Sequence, residues 1–341
     1  MRNKIKNIFI LSTIKIFEGN SAGSARLMNI SRALASSGTN VYLCSSQLNN
    51  KVNYESKKEV FKNIYLIGEE NKIQFARYRK TLYRYFNIFR QFYYIERVHR
   101  IMRRIDGNCV FYIYPSIELS MDISALLYLK LLRHAKLFCD INELRVTSLH
   151  NYLFSSNNFR KMYDLLKYCF DFCKYKLHEL ITKCYDGLVV ISTSLEKYFV
   201  KYNHNIIRVP ILTDTPDIIK SKELSYSNTS DFRLGFTGQI SLKKEGFELF
   251  YKAISIAKEN GYKISLNLYG PINVNEKDIL LNELPSKYKI KGTLFYHGII
   301  DQKYLLNEIR NNDLLVLPRP LHPQTRYGFS TKLSEYLISG L

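Results

Sequence analysis

The sequence lacks any apolar run long enough to cross a bilayer, because its longest runs fall well short of the roughly 20 residues that a transmembrane helix needs. Its 341 residues are 46% hydrophobic and 23% charged, which is typical of a soluble globular chain with room for two domains. The N-terminal stretch 1–17 resembles a secretory signal in its basic start and short apolar segment. Lys15 interrupts that segment, and a glycine loop and an amphipathic helix follow directly. We therefore interpret this stretch as a first buried strand.

The cysteines also lack a metal-binding pattern. None of the six forms a C-x-x-C pair, and most sit in apolar runs, where a free cysteine packs as a small hydrophobic residue. Cys169, Cys173 and His178 share one helical stretch, but His178 falls off the face of the two cysteines and a fourth ligand is missing. We predict no metal site, and this cysteine usage indicates a reducing cytoplasm.

Positive charge is the strongest feature of the composition. The formal net charge is +20, which indicates an anionic partner such as nucleic acid, a membrane surface or a phosphorylated small molecule. Residues 71–104 alone carry ten Lys/Arg, one Glu and nine Phe/Tyr. A basic, aromatic helix of this kind can lie on an anionic membrane surface. The alternative is a solvated helix whose aromatic side chains face its own domain.

Short apolar runs alternate with amphipathic stretches, which predicts parallel sheets covered by helices on both faces. In the first half the predicted strands are 8–11, 41–44, 64–67, 110–114, 136–140, 187–192 and 206–210, and the predicted helices are 24–37, 72–104, 117–133, 158–184 and 193–202. In the second half the predicted strands are 233–238, 263–270, 292–298 and 313–318, and the predicted helices are 246–260, 276–287, 301–311 and one from about 330.

These patterns predict two doubly wound, Rossmann-like α/β domains. The N-terminal domain covers residues 1–212, a polar and turn-rich linker covers 213–231, and the C-terminal domain covers 232–341. A doubly wound sheet would normally continue with another strand after Gly340 and Leu341. We therefore expect the second domain to be truncated.

Ligands of open α/β sheets bind beyond the carboxyl ends of the strands. After the first strand, a Gly/Ser loop that includes Gly23 enters a helix near Arg26, and its free N–H groups can hold an anion. The loop does not contain G-x-G-x-x-G, and no acidic residue ends the second strand. Both absences argue against a dinucleotide-dependent oxidoreductase.

Two loops of the second half are suited to phosphate. The first contains Gly238, which permits close backbone approach, followed by Lys243 and Lys244, either of which can reach a diphosphate. The second follows the last strand, and a carboxylate on its helix, Glu335, can accept both hydroxyls of a ribose. A surface helix with a Lys332–Glu335 pair is the alternative interpretation. The other candidate residues of this second loop are Arg319, Arg326, the Gly328-Phe329 pair, Ser330 and Lys332.

Four segments together resemble the family 4 retaining glycosyltransferases. They are GNSAGSARLMNISRALASSGTNVYL, then YDGLVVISTSLEKYF with IIRVPIL, then LGFTGQISLKKEGFELFYKAI, and finally DLLVLPRP with GFSTKLSEYLISG. They occur in the family's order and spacing and span nearly the whole chain. Each segment alone is moderately diagnostic, whereas the four in order are a strong signal.

The resemblance implies the glycosyltransferase B fold, in which two Rossmann-like domains face a cleft that holds the active site. It implies a nucleotide diphosphate sugar as donor, mostly on the second domain, and a glycan or lipid-linked acceptor, mostly on the first. Family members retain the anomeric configuration, usually without a metal, and this sequence contains no metal-holding D-x-D motif. No cofactor beyond the donor is implied. The usual product is cell-envelope polysaccharide, and the enzyme would be cytoplasmic or peripheral on the inner face of the cell membrane.

On the donor side, the family's G-R-x-K-G clamp maps onto Gly238, Gln239 and Lys244, and Glu245 is inserted before the glycine. Gln239 thus replaces the clamp arginine, so Arg319 or Arg326 would supply the missing charge. In the family's E-x7-E motif, the second glutamate, which binds the ribose, maps onto Glu335. The first glutamate falls on Tyr327. Lys244 and Glu335 are accordingly predicted to act in catalysis.

On the acceptor side, many family members use a histidine after a mid-domain strand. The corresponding segment here, FCDINELR, has no histidine and offers Asp140, Glu143 and Arg145, which we interpret as an unpaired acidic cluster. Glu143 is the third predicted catalytic residue. Gly23, Arg26, Asp140 and Glu143 are the predicted acceptor residues.

Two other functions stay open at this point. The missing first glutamate and clamp arginine favour a catalytically inactive, glycosyltransferase-like remnant or binding protein. Nucleic-acid binding rests on charge alone, since the sequence has no helix-turn-helix, RNP motif or zinc spacing. We predict no nucleic-acid partner.

Overall fold

In a computed structural model the chain forms two compact α/β units. The first comprises residues 1–212 with 326–329, and the second comprises residues 213–325 with 330–341. The segment 326–329 thus groups with the first unit, whereas the sequence interpretation placed it in the C-terminal domain. Nearly all of the predicted linker lies outside the residues that the structure describes, which are 5–14, 22–45, 57–67, 82–114, 119–152, 158–211, 231–242, 245–321 and 323–341.

The first unit is built on one eight-stranded sheet. Its strands are β1 (Asn7–Ser12), β2 (Asn40–Ser45), β3 (Lys57–Phe61), β4 (Ile64–Ile67), β5 (Cys109–Tyr114), β6 (Leu137–Ile141), β7 (Gly187–Val190) and β8 (Ile206–Arg208). Their order is β3-β4-β2-β1-β5-β6-β7-β8, and all pairs are parallel except β3 with β4. The central strand β1 is almost completely buried because helices cover both faces, which explains its continuous apolar run.

Two apolar clusters lie against the first sheet. Leu27 and Ile30 of the first helix join one, and Ile95 and Val98 of the second helix join the other. The helices of this unit are α1 (Ala22–Ser36), α2 (Leu82–Met102), α3 (Leu119–Ala125, continued by a π-helical turn to Leu132), α4 (Asn158–Ile181) and α5 (Thr193–Phe199), with a 3-10 helix over Arg145–Tyr152.

The second unit repeats the pattern on a smaller, fully parallel sheet. Its strands are β9 (Phe232–Thr237), β10 (Ile264–Tyr269), β11 (Leu294–Gly298) and β12 (Leu314–Leu315), in the order β11-β10-β9-β12. Phe236 and Leu268 at the sheet centre pack against Phe247 and Tyr251 of the following helix. The helices are α6 (Phe247–Glu259), α7 (Val274–Asp278, continued by a π-helical turn to Glu283), α8 (Leu284–Lys287), α9 (Gln302–Ile309), α10 (Pro323–Tyr327) and α11 (Thr331–Ser339).

The predicted fold class is confirmed, because both units are β-α alternations around mainly parallel sheets. The sequence pattern missed β3, whose KKEVF sequence has no buried residue and forms an antiparallel edge. It also missed the 3-10 helix and α10. No helix of the described ranges combines the length and the apolar character needed to span a membrane.

The cysteines divide evenly by exposure, which corrects the prediction that most of them pack in apolar surroundings. Cys44 and Cys139 are buried and Cys109 is half-buried, whereas Cys169, Cys173 and Cys184 are exposed. His178, on the same helix as two of the exposed cysteines, turns the other way. Its Nε2 lies 3.1 Å from a carboxylate oxygen of the buried Asp122.

Candidate functional site

In the first unit, a cluster of polar side chains lies on β5, on β6 near its carboxyl end, and on α1. Asp140 near the end of β6 is fully buried, and its Oδ2 lies 3.1 Å from a guanidinium nitrogen of Arg26 on α1. The Tyr112 hydroxyl donates to the same carboxylate oxygen. Arg26 also donates to the carbonyl of Pro210, at 2.7 Å. Arg26 therefore ties α1 to the sheet through Asp140 and to the segment that follows β8 through the Pro210 carbonyl.

The pairing of Asp140 corrects the prediction of an unpaired acidic cluster. Glu143 is instead exposed, with its carboxylate 3.4 Å from the guanidinium of Arg145. Burial raises the pKa of Asp140, although Arg26 and Tyr112 oppose that shift. Of the predicted acceptor residues, the structure thus brings Arg26 and Asp140 into contact and leaves Glu143 on the surface.

Some buried polar atoms of this cluster make no hydrogen bond. They are Oδ1 of Asp140, Nε of Arg26 and Oδ1 of Asn142, the residue after β6. Gly23, the fourth predicted acceptor residue, contributes its carbonyl, which accepts a hydrogen bond from Tyr114 at 2.8 Å. Arg26 and Asp140 are therefore buried, although each keeps a polar atom that makes no hydrogen bond.

In the second unit, the site begins at Gly238, the residue that follows β9. This glycine has a φ of 101°, and its N–H donates to the carbonyl of Tyr269 at 2.9 Å. A Cβ at this position would lie 2.5 Å from Cε of Lys332. Glycine is required here by both the backbone conformation and the close approach of that lysine.

Glu245 is the centre of this second site and is fully buried. Its carboxylate contacts the Arg319 guanidinium through two nitrogens, at 3.1 and 3.2 Å, and the Lys332 ammonium at 2.7 Å. One carboxylate thus contacts two cations, and these three side chains sum to +1 before Glu335, which interacts electrostatically with Lys332, is counted. Sequence reasoning placed both cations in the site but treated Glu245 as an insertion, because nothing local reveals a partner so far away in the chain.

Helix α11 is fixed to the end of β9 by two of its own side chains. The Tyr336 hydroxyl accepts the N–H of Thr237 at 2.9 Å and donates to the carbonyl of Val316 at 3.3 Å. The Lys332 ammonium lies 3.9 Å from the centre of the Phe236 ring. The N-terminus of α11, an intrinsically electropositive feature, is therefore held in the same unit as the Glu245 cluster.

Two further predicted residues lie on or next to α11. Ser330 precedes the helix, and its buried hydroxyl has no hydrogen-bond partner. Glu335 is half-buried, and desolvation raises its pKa, although nearby Lys332 opposes the shift. The alternative interpretation had Lys332 paired with Glu335 on a surface helix. In the structure Lys332 is buried, and its ammonium contacts the carboxylate of Glu245.

The remaining predicted donor residues are distributed differently. Gln239 is exposed next to Gly238, and Lys243 and Lys244 lie outside the described residues. Arg326 and Phe329 group with the first unit, as does Tyr327, whose carbonyl accepts a hydrogen bond from Ser192 at 2.8 Å. The described donor-side contacts therefore involve Gly238, Arg319, Lys332 and the newly found Glu245.

Comparisons with known proteins identify the fold. No protein-family model matches the sequence, and no curated protein matches it. Among solved structures, sucrose-phosphate synthase from Thermosynechococcus elongatus superposes with a TM-score of 0.63 at 13% identity, over 97% of this chain and 79% of that one. The lipopolysaccharide outer core galactosyltransferase WaaB gives 0.60 at 10% identity, over 99% and 79%.

A third match is HepE of Anabaena, solved in complex with UDP and glucose, with a TM-score of 0.52 at 10% identity over 98% of this chain and 79% of that one. At such low identities the likeness establishes the fold alone. The chain has the glycosyltransferase B fold, with two Rossmann-like α/β units.

Proposed function

We propose that this protein is a retaining glycosyltransferase, related to family 4, that moves a sugar from a nucleotide diphosphate sugar to a glycan or lipid-linked acceptor. The observation that carries this proposal is the Glu245 cluster, in which a buried carboxylate holds the Arg319 and Lys332 cations in one place. Two fixed cations of this kind suit a diphosphate. Cell-envelope polysaccharide synthesis is the pathway that the family resemblance favours.

The donor would be held by the second unit. Its diphosphate would lie near Gly238 and the N-terminus of α11, with Lys244 as a further cation and Glu335 accepting the ribose hydroxyls. As the bond from the sugar to the diphosphate breaks, negative charge develops on the leaving group. Preorganised positive groups stabilise that charge more in the transition state than in the ground state, which lowers the barrier.

The acceptor would be positioned by the first unit, through the region of Arg26, Asp140 and Glu143. Its hydroxyl would attack the anomeric carbon on the face that the diphosphate leaves. The departing phosphate oxygen would take the hydroxyl proton, so protons and charge balance without a separate base. This arrangement requires no cofactor beyond the donor.

Binding measurements on variants test the donor site. Calorimetry with UDP-, GDP- and ADP-sugars would first identify the nucleotide. We expect Lys244→Ala and Glu335→Ala each to weaken binding of that donor by about tenfold or more, since each removes a charge-assisted contact. Lys252→Ala, at an exposed lysine of α6, is the matched control and should bind normally.

Unchanged binding by Lys244→Ala and Glu335→Ala would overturn this site assignment. Normal donor binding with neither sugar transfer nor donor hydrolysis would instead identify the inactive, glycosyltransferase-like alternative. Membrane contact through 71–104 stays a separate prediction, because residues 71–81 lie outside the described part of the chain. In the described part of α2, Phe89 and Tyr93 are exposed, whereas Ile95 and Val98 are buried.

A further inference from the structure

Helix α4 carries an apolar stripe that its own unit does not cover. The stripe consists of Leu166, Cys169, Phe170, Cys173, Leu177 and Leu180. Its leucine and phenylalanine side chains are 44–66% exposed, and both cysteines are exposed. The opposite face of the same helix is buried through His178 and Glu179. The helix is therefore amphipathic, but its broad apolar face points away from the core.

Lysines flank this stripe along both edges. At 100° per residue the six apolar positions occupy an arc of about 100°. Lys167 and Lys174 lie beyond one edge of that arc, and Lys176 and Lys183, the latter just past the helix end, lie beyond the other. Such a pattern is typical of helices that lie in a membrane interface, with apolar side chains at the acyl boundary and lysines at the headgroups.

We propose that α4 docks this protein on an anionic lipid bilayer, with the Leu166–Leu180 stripe facing the lipid. The flanking lysines would contact negatively charged headgroups, each adding favourable surface electrostatics. This surface differs from the 71–104 stretch. The proposal also stands independently of the proposed transferase activity, since none of its residues belongs to the donor site.

A second copy of the chain is the main competing occupant, because positions 166, 170, 173, 177 and 180 also have the alternating spacing of helix-pairing seams. The charges decide against it. In a symmetric pair, the lysines on the edges of one helix would face lysines of the other, and like charges repel. Anionic headgroups complement the lysine edges of the stripe, where Lys176 already pairs with Glu179 at 2.8 Å.

Vesicle flotation of the full-length chain tests the proposal. We expect binding to vesicles rich in phosphatidylglycerol, weaker binding at high salt, and little binding to pure phosphatidylcholine. Leu166→Glu combined with Phe170→Glu should weaken binding about a hundredfold, since two large apolar side chains are lost from the interface. Leu249→Glu in α6, at a leucine that is 72% exposed in the other unit, is the matched control and should bind as the unaltered protein does.

Two measurements keep the result interpretable. Thermal unfolding and nucleotide binding of the double variant should equal those of the unaltered protein, because both positions are exposed and distant from the donor residues in sequence. Undiminished flotation of the double variant would overturn the proposal, as would equal binding to neutral and anionic vesicles. Self-association without lipid that the double substitution abolishes would also overturn it, in favour of a protein partner.

Discussion

Each unit has a fully buried carboxylate at its candidate site, Asp140 in the first and Glu245 in the second, and the two differ in how many cations they contact. In the first unit, Asp140 faces a single cation, Arg26, and both side chains are almost fully buried. In the second unit, Glu245 faces two cations, and the Arg319 side chain keeps 21% of its surface exposed. An enclosed one-to-one pair fixes elements of the fold, whereas a cluster with two cations, one of them partly exposed, can still bind an anion. The difference therefore separates an enclosed ion pair from a candidate anion-binding site.

The largest effect is expected when the Glu245 carboxylate is neutralised. Glu245→Gln leaves the buried Lys332 ammonium and the Arg319 guanidinium without their counter-ion. We expect the free energy of unfolding to fall by about 3–5 kcal/mol, the usual cost of breaking a buried pair, and nucleotide-sugar binding to be lost. Chemical denaturation and calorimetry measure the two effects.

The control is Glu248→Gln on the same unit. Glu248 pairs with Lys287 at 2.8 Å, but both side chains are more than half exposed. A surface pair contributes little, so no measurable loss of stability or binding is expected. If Glu245→Gln behaved like this control, Glu245 would not be the organising residue of the cluster.

The second test is a substitution in the Asp140–Arg26 pair of the first unit. Asp140→Asn leaves the buried Arg26 without its counter-ion and should lower the free energy of unfolding by about 3 kcal/mol. Donor binding should stay normal in the fraction that remains folded, because the altered contact lies wholly within the first unit. Chemical denaturation with and without nucleotide measures both.

Combining Asp140→Asn with Arg26→Met removes both charges, and the loss of stability should then be smaller than for Asp140→Asn alone. An equal or larger loss would show that Arg26 acts through its hydrogen bond to the Pro210 carbonyl rather than through Asp140. Reduced donor binding by Asp140→Asn would contradict the separation of the two sites.

A third and smaller effect is expected from Gly238→Ala. The added methyl group meets Cε of Lys332 at 2.5 Å, and the backbone has a φ of 101°. We expect a loss of about 1–3 kcal/mol, together with weaker donor binding as Lys332 is displaced. Gly261→Ala is a matched control, since that glycine has a φ of 88° with nothing within 4 Å. Equal losses in both variants would indicate backbone strain alone.

The fold could be predicted from the sequence because parallel strands that are buried on both faces are continuous apolar runs. All seven strands predicted in the first half exist, with bounds shifted by a few residues. Strand β3 could not be predicted, since an exposed edge strand has no need of apolar side chains. The predicted helix over 276–287 forms as α7, a π-helical turn and α8, a change that the apolar spacing does not reveal.

The candidate site could be predicted only in part. Gly238, Arg319 and Lys332 were identified by their positions after strands, where ligands of open sheets bind. The role of Glu245 could not, because its partners are 74 and 87 residues away in the chain. The Asp140–Arg26 pair was missed for the same reason, since its members are 114 positions apart in the chain. The order of the strands in the sheet brings such residues together. The sequence around each residue does not show which distant residue it will contact.

The smallest expected effect concerns Glu335, which interacts electrostatically with Lys332 of the Glu245 cluster. Because desolvation raises its pKa, it becomes protonated at a higher pH than an exposed glutamate does. A protonated Glu335 cannot accept both ribose hydroxyls, so donor binding should weaken as the pH falls through this raised pKa. We expect a loss of about tenfold, measured by calorimetry across the acidic range.

The diphosphate of the donor also carries ionisable oxygens, so the protein contribution must be isolated. Glu335→Gln should bind more weakly at neutral pH and keep only the pH dependence of the ligand itself. The difference between the two pH profiles then reports Glu335 alone. The free energy of unfolding should change in the opposite direction and increase as the pH falls. The raised pKa of Glu335 in the folded state favours folding at low pH, and that contribution is lost as the pH rises. Parallel pH profiles for Glu335→Gln and the unaltered protein would show that Glu335 does not bind the ribose. The assignment of the Glu245 cluster would be unaffected by that result.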